Sequence, residues 1–134
     1  NDSRFHVHLH SVPEFHKEMA TSHFCLGVSG RGGGWGRRIT LGALHGCIPV
    51  VIMDNCSMAL EELLPWQHMA VFVPEARIPD LGTILEGVLK DTARMERMRR
   101  ELGAQRFSPA ELQKVKCDTW RSEAAVTSAR HVAL

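Results

Sequence analysis

The run Cys47-Ile48-Pro49-Val50-Val51-Ile52-Met53 constrains this chain more than any other stretch of it. It is continuous, apolar and rich in β-branched side chains, so as a strand it must be covered on both faces. Layers of helix on each side of a sheet provide that cover. This run, like every other apolar run in the chain, is too short to span a bilayer.

The flanking segments fit the same plan. Phe5-His6-Val7-His8-Leu9-His10 alternates apolar and polar, the period of a half-buried strand. Pro13 stands where a helix begins, with Ser11 as its cap and Phe15, Met19 and Ala20 as an apolar stripe reaching Thr21. Residues 23–28 predict a second, more buried strand, and Ser29-Gly30-Arg31-Gly32-Gly33-Gly34 breaks it. Residues 35–45 predict a helix closed by Gly46. Residues 58–64 predict a short helix before Pro65, and residues 69–73 a strand stopped by Pro74. From about Asp80 one long helix carries Leu81, Ile84, Leu85, Val88, Leu89, Met95, Met98 and Leu102 on a single stripe until Gly103.

Strands alternating with helices imply an α/β fold, a Rossmann-like parallel sheet flanked by helices through right-handed crossovers. We expect residues 1–103 to form this domain and 104–134 a helical or irregular tail. Such sheets bind ligands at the carboxyl ends of their strands. The glycine loop, the Asp54-Asn55 turn and the segment after Val73 therefore share one rim.

Sixteen basic against fifteen acidic residues leave a formal charge of +1. That balance argues against nucleic acid as a partner and against contact of this segment with an anionic membrane. The chain shows no signal-peptide pattern and opens on Asn1 rather than Met, which reads as a piece of a longer protein. Cys25, Cys47, Cys56 and Cys117 include no CxxC pair, which argues against structural zinc. The apolar surroundings of Cys25 and Cys47 favour two buried thiols, and a disulfide in an oxidising lumen stays open.

Four glycines in five positions, Gly30, Gly32, Gly33 and Gly34 around Arg31, let the backbone approach a ligand closely. Free amides at the next helix start favour an anion, and Arg31, Arg37 and Arg38 can fork onto phosphate. The combination suggests a diphosphate pocket; a surface loop with solvated arginines is the alternative. Two familiar phosphate loops are excluded. A Walker loop needs Lys and then Ser or Thr after its last glycine, whereas Trp35 and Gly36 follow Gly34. The dinucleotide pattern GxGxxG would need glycine at Trp35 or at Arg37.

Phe15-His16-Lys17-Glu18-Met19, Ser22-His23-Phe24-Cys25-Leu26, Trp35-Gly36-Arg37-Arg38, Gly46-Cys47-Ile48-Pro49-Val50-Val51-Ile52, Pro65-Trp66 and Val71-Phe72-Val73-Pro74-Glu75 follow one another in order. Block by block they resemble the C-terminal part of the exostosin family, glycosyltransferase family 47. The resemblance runs from about Phe15 to Leu89. It implies half of a GT-B architecture, whose facing N-terminal domain, absent from this chain, contributes most of the acceptor site. It implies a UDP-sugar as donor substrate, a glycan or glycoprotein acceptor, no metal or other cofactor, and a Golgi membrane address on the lumenal side. By carry-over Arg38 grips phosphate, Trp35 lines the pocket, and residues 30–34 supply backbone amides. Asp54 and Asn55 either touch the donor sugar or form a simple turn.

The chain departs from the family pattern at Leu41, where a glutamate is expected to accept hydrogen bonds from the ribose, and at Gly42, where alanine is common. Losing such a bond costs about 1.5–3 kcal/mol, roughly 10- to 150-fold in affinity. Ala59-Leu60 also replaces the usual Pro-Phe. These departures, with the facing domain absent, imply that this segment alone is inactive. They leave a non-catalytic domain that binds nucleotide, glycan or a partner subunit as the alternative to a transferase.

Other chemistry-bearing residues have plainer readings. His6, His8 and His10 are expected on an exposed strand face rather than as metal ligands. Trp66, Met95 and Met98 are expected in the core, and Arg94, Arg97, Arg99 and Arg100 on a solvated helix face with Glu96 and Glu101.

Overall fold

The structure, a computed structural model, describes residues 5–8, 13–28, 37–55, 57–58, 60–104 and 131–133. The long apolar run forms β3 (Ile48–Ile52), buried at every position. It lies between β2 (Phe24–Val28) and β4 (Val71–Phe72), and both pairings are parallel. Pro49, which has no N–H to give, fits this central strand for a simple reason. Ile48 N–H donates to the His23 carbonyl on the β2 side, so by alternation Pro49 faces the β4 side. There the ladder opens only at Val50 opposite Val71, so no bond is lost.

Helices flank these three parallel strands, as the alternating pattern predicts: α1 (Phe15–Thr21), α2 (Arg37–Leu44), α3 (Trp66–Met69), α4 (Leu81–Lys90) and α5 (Thr92–Ala104). The sheet extends further than expected. β1 (His6–His8) pairs antiparallel with β5 (His131–Ala133), and β5 pairs antiparallel with β2 through Cys25 and Ala133. The full order is β1-β5-β2-β3-β4, so the purely parallel sheet gains an antiparallel flank.

Several local expectations are corrected. Residues 60–63 make a turn within the span 58–64 expected to be helical, because Leu60 takes a left-handed φ of 52° that no α-helix accommodates. The helix falls later, as α3, and takes Met69 from the expected strand. The single long helix is preceded by a 3-10 turn at Glu75–Asp80 and splits at Asp91. There the Asp91 carboxylate accepts a hydrogen bond from Arg94 N–H at 2.9 Å and caps α5. Gly103 lies inside α5 rather than after it. α1 begins with Glu14 at its N-cap; Ser11, the expected cap, lies outside the described residues.

The helix that leads to the rim is fixed at both ends. At its far end Gly46 takes φ +75°, Cys47 N–H donates to Gly42 O at 2.9 Å and Gly46 N–H to Ala43 O at 3.1 Å. This is the glycine-closed helix end predicted from Gly46. Near its start, α2 lies so close to β2 that a Cβ on Gly27 would overlap Ile39 Cγ1 and approach Ile39 Cδ1 to 2.6 Å. Gly27→Ala should therefore cost about 1–3 kcal/mol, read as a lower urea midpoint at unchanged slope. An unchanged midpoint would mean that α2 does not rest on this glycine.

The main core joins Phe24, Leu26 and Ile48, Val50, Val51 and Ile52 of β3 to Trp66, Met69, Leu85, Val88, Met95, Met98 and Leu102. Trp66 and the Met95-Met98 stripe are core residues, as expected. A second, smaller cluster holds Met19, Cys25 and Cys47, with Phe15 and Leu41 packed against it.

Candidate functional site

Right-handed parallel crossovers start each helix at the carboxyl end of the preceding strand. That rule sets Arg38, the second residue of α2, on the rim just beyond β2. Its side chain is half-buried, and burial pushes the guanidinium below its ordinary pKa. An arginine stays cationic regardless. A partly desolvated cation acts on a nearby anion through a lower effective dielectric than a fully solvated one. The first turn of any helix also presents amides that lack intrahelical partners, with the same preference for negative charge.

Gly30, Arg31, Gly32, Gly33, Gly34 and Trp35 lie outside the described residues. Of the expected site the structure thus describes Arg38, Asp54 and Asn55. Asp54 and Asn55 form the turn that ends β3, and Asn55 takes a left-handed φ of 55°, which asparagine tolerates better than most residues. Asp54 is engaged there. Its Oδ1 accepts from Glu75 N–H at 3.2 Å, while Glu75 Oε1 accepts from Asp54 N–H at 3.4 Å. The reciprocal pair ties the turn after β3 to the segment after β4 and puts two exposed carboxylates on the rim. Sequence reasoning named Asp54 and passed over Glu75. The only signal was its place at the end of the block Val71-Phe72-Val73-Pro74-Glu75.

Leu41, one turn after Arg38, does not stand idle where the family glutamate is expected. It is partly buried against Met19, Cys25 and Cys47. Those two cysteines are joined in a disulfide, with Cα atoms 5.8 Å apart, which overturns the favoured reading of two free thiols. The parallel register explains the bond: it sets Cys25 of β2 against Pro49, two residues past Cys47. Gly42 makes room for it, since a Cβ there would meet Cys25 Cβ at 3.0 Å. Leu41 and Gly42 thus both serve the packing around this disulfide.

The remaining candidates are dispersed. His6 is exposed on β1, the His8 side chain and His10 lie outside the described residues, and no group of three metal-ligating side chains occurs among the described residues. Arg94, Arg97, Arg99 and Arg100 are exposed on α5, and Arg99 Nη2 meets His23 Nδ1 at 2.7 Å. No helix among the described residues is long and apolar enough to cross a membrane.

Comparison with known proteins adds a family. The model of the exostosin GT47 domain matches residues 1–88. Over 91 residues the chain is 33% identical to a protein of Oryza sativa subsp. japonica named "Probable glucuronosyltransferase", covering 68% of this chain and 22% of that protein. Over 88 residues it is 31% identical to an Arabidopsis thaliana protein named "Probable beta-1,4-xylosyltransferase", covering 66% of this chain and 21% of that one. The chain spans about a fifth of the length of these curated relatives.

Proposed function

Because the chain belongs to the exostosin GT47 family, we propose that it is the donor-binding part of a glycosyltransferase that moves a sugar from a UDP-sugar to a glycan or glycoprotein acceptor. The observation that carries this reading is Arg38, half-buried in the first turn of a helix that starts at the carboxyl end of a parallel sheet. A diphosphate leaving group gains negative charge as the glycosidic bond to the donor breaks. A fixed guanidinium and helix-start amides stabilise that charge without having to reorganise. The names of the relatives favour UDP-glucuronate or UDP-xylose as donor. No cofactor is assigned beyond the donor itself.

In this reading the facing domain of a GT-B pair binds the acceptor and supplies any general base. The buried disulfide supports a lumenal setting, because such bonds persist in oxidising compartments. A Golgi-lumenal enzyme held by a membrane anchor elsewhere in the protein fits that setting. Leu41 favours a second reading, a domain that binds nucleotide or glycan without turnover, since it removes the expected ribose acceptor.

The full-length protein, incubated with UDP-glucuronate or UDP-xylose and a panel of oligosaccharide acceptors, should release UDP in step with glycan elongation. A folded protein that binds UDP but never turns over would establish the second reading in its place.

A further inference from the structure

An open cleft of about 340 Å³ lies between α3 and α5. Its walls include His68 from α3 and Arg94, Arg97, Arg100 and Glu101 from α5, with the buried Met98 at its floor. Three guanidiniums thus face a single carboxylate. All three are exposed, and none is in an ion pair among the described residues. Spaced three residues apart on one helix, they make a slanted row about 9 Å long.

The cleft is not the donor rim. α3 runs directly into the start of β4, and Arg99, on the same helix as the row, reaches His23 just before β2. Both features belong to the amino ends of the strands, whereas Arg38 lies beyond their carboxyl ends. The charge pattern also selects among anions. With a formal charge of only +1 the chain lacks the broad basic field that an anionic membrane or nucleic acid needs. A narrow row of cations above an apolar floor suits a single chain that alternates carboxylates with apolar sugar faces.

We propose that this cleft holds a uronate-bearing stretch of the acceptor or product glycan, its carboxylates on Arg94, Arg97 and Arg100. The proposal rests on the glycosyltransferase reading and extends it, since relatives named as glucuronosyltransferases would add such carboxylates.

The test compares binding of the whole protein to three probes: a glucuronate-bearing xylo-oligosaccharide, the same oligosaccharide with its carboxyls reduced to alcohols, and phosphatidylserine vesicles. The acidic oligosaccharide should bind at least roughly tenfold more tightly than the reduced one and weaken as salt rises. R94Q/R97Q/R100Q, altered only at exposed positions and checked for native circular dichroism, should lose about tenfold for the acidic probe and keep its affinity for UDP. Equal binding of acidic and reduced probes, unchanged binding by the triple variant, or retention on vesicles alone would overturn the proposal. UDP titration and transfer assays on the same preparations separate the two readings. Transfer without acidic-glycan binding removes only the cleft; arginine-dependent glycan binding without UDP binding or transfer removes the enzyme and leaves the cleft.

Discussion

Removing the Cys25–Cys47 bond, by C25A/C47A or by reduction, should cost the domain about 3 kcal/mol of stability. The bond closes a sequence separation of 22 residues, and the chain-entropy model gives that magnitude for a loop of this length. For a domain of this size the melting temperature should fall by roughly 10–15 °C. Both half-cystines are buried, so the alanines also leave unfilled space and push in the same direction. The bond lies near the amino ends of β2 and β3, away from Arg38. UDP affinity measured well below the melting transition should therefore stay within about twofold of the intact protein. A melting temperature that does not move on reduction, or alkylation of both cysteines in the native oxidised protein, would remove the disulfide from this account.

That bond also shows where sequence reasoning stops. The spacing of Cys25 and Cys47 says nothing about pairing; only the parallel register of β2 on β3, a tertiary fact, brings them together. By contrast β3 and Gly46 could be read directly. An unbroken β-branched run has few ways to be buried, and a glycine after an apolar stripe marks a left-handed helix end. β5 escaped because three residues carry no period, and its partners lie more than a hundred positions away. The break at Asp91 escaped because the apolar stripe runs through it, although an aspartate poised to cap the next turn was a readable signal. The site divides in the same way. Arg38 follows from the start of α2, but the Asp54–Glu75 pair joins residues 21 apart that only the finished sheet makes neighbours.

Replacing Arg38 by alanine should weaken UDP binding by roughly 10- to 150-fold, the loss expected for hydrogen bonds between a cation and an anionic phosphate. Half-burial is the reason to expect the upper part of that range. A guanidinium partly removed from water is screened less by salt and meets the diphosphate through a lower dielectric than an exposed arginine would. R38K should recover part of the loss, because it restores the charge but not the planar fork that meets two phosphate oxygens at once. Uridine supplies the decisive control. It lacks the diphosphate, so its weak binding should be the same in the parent protein and in R38A. If UDP and uridine weaken together, the arginine shapes the base or ribose pocket instead. If neither weakens in a variant that melts normally, the helix start does not hold the phosphates and the donor site lies elsewhere on the rim.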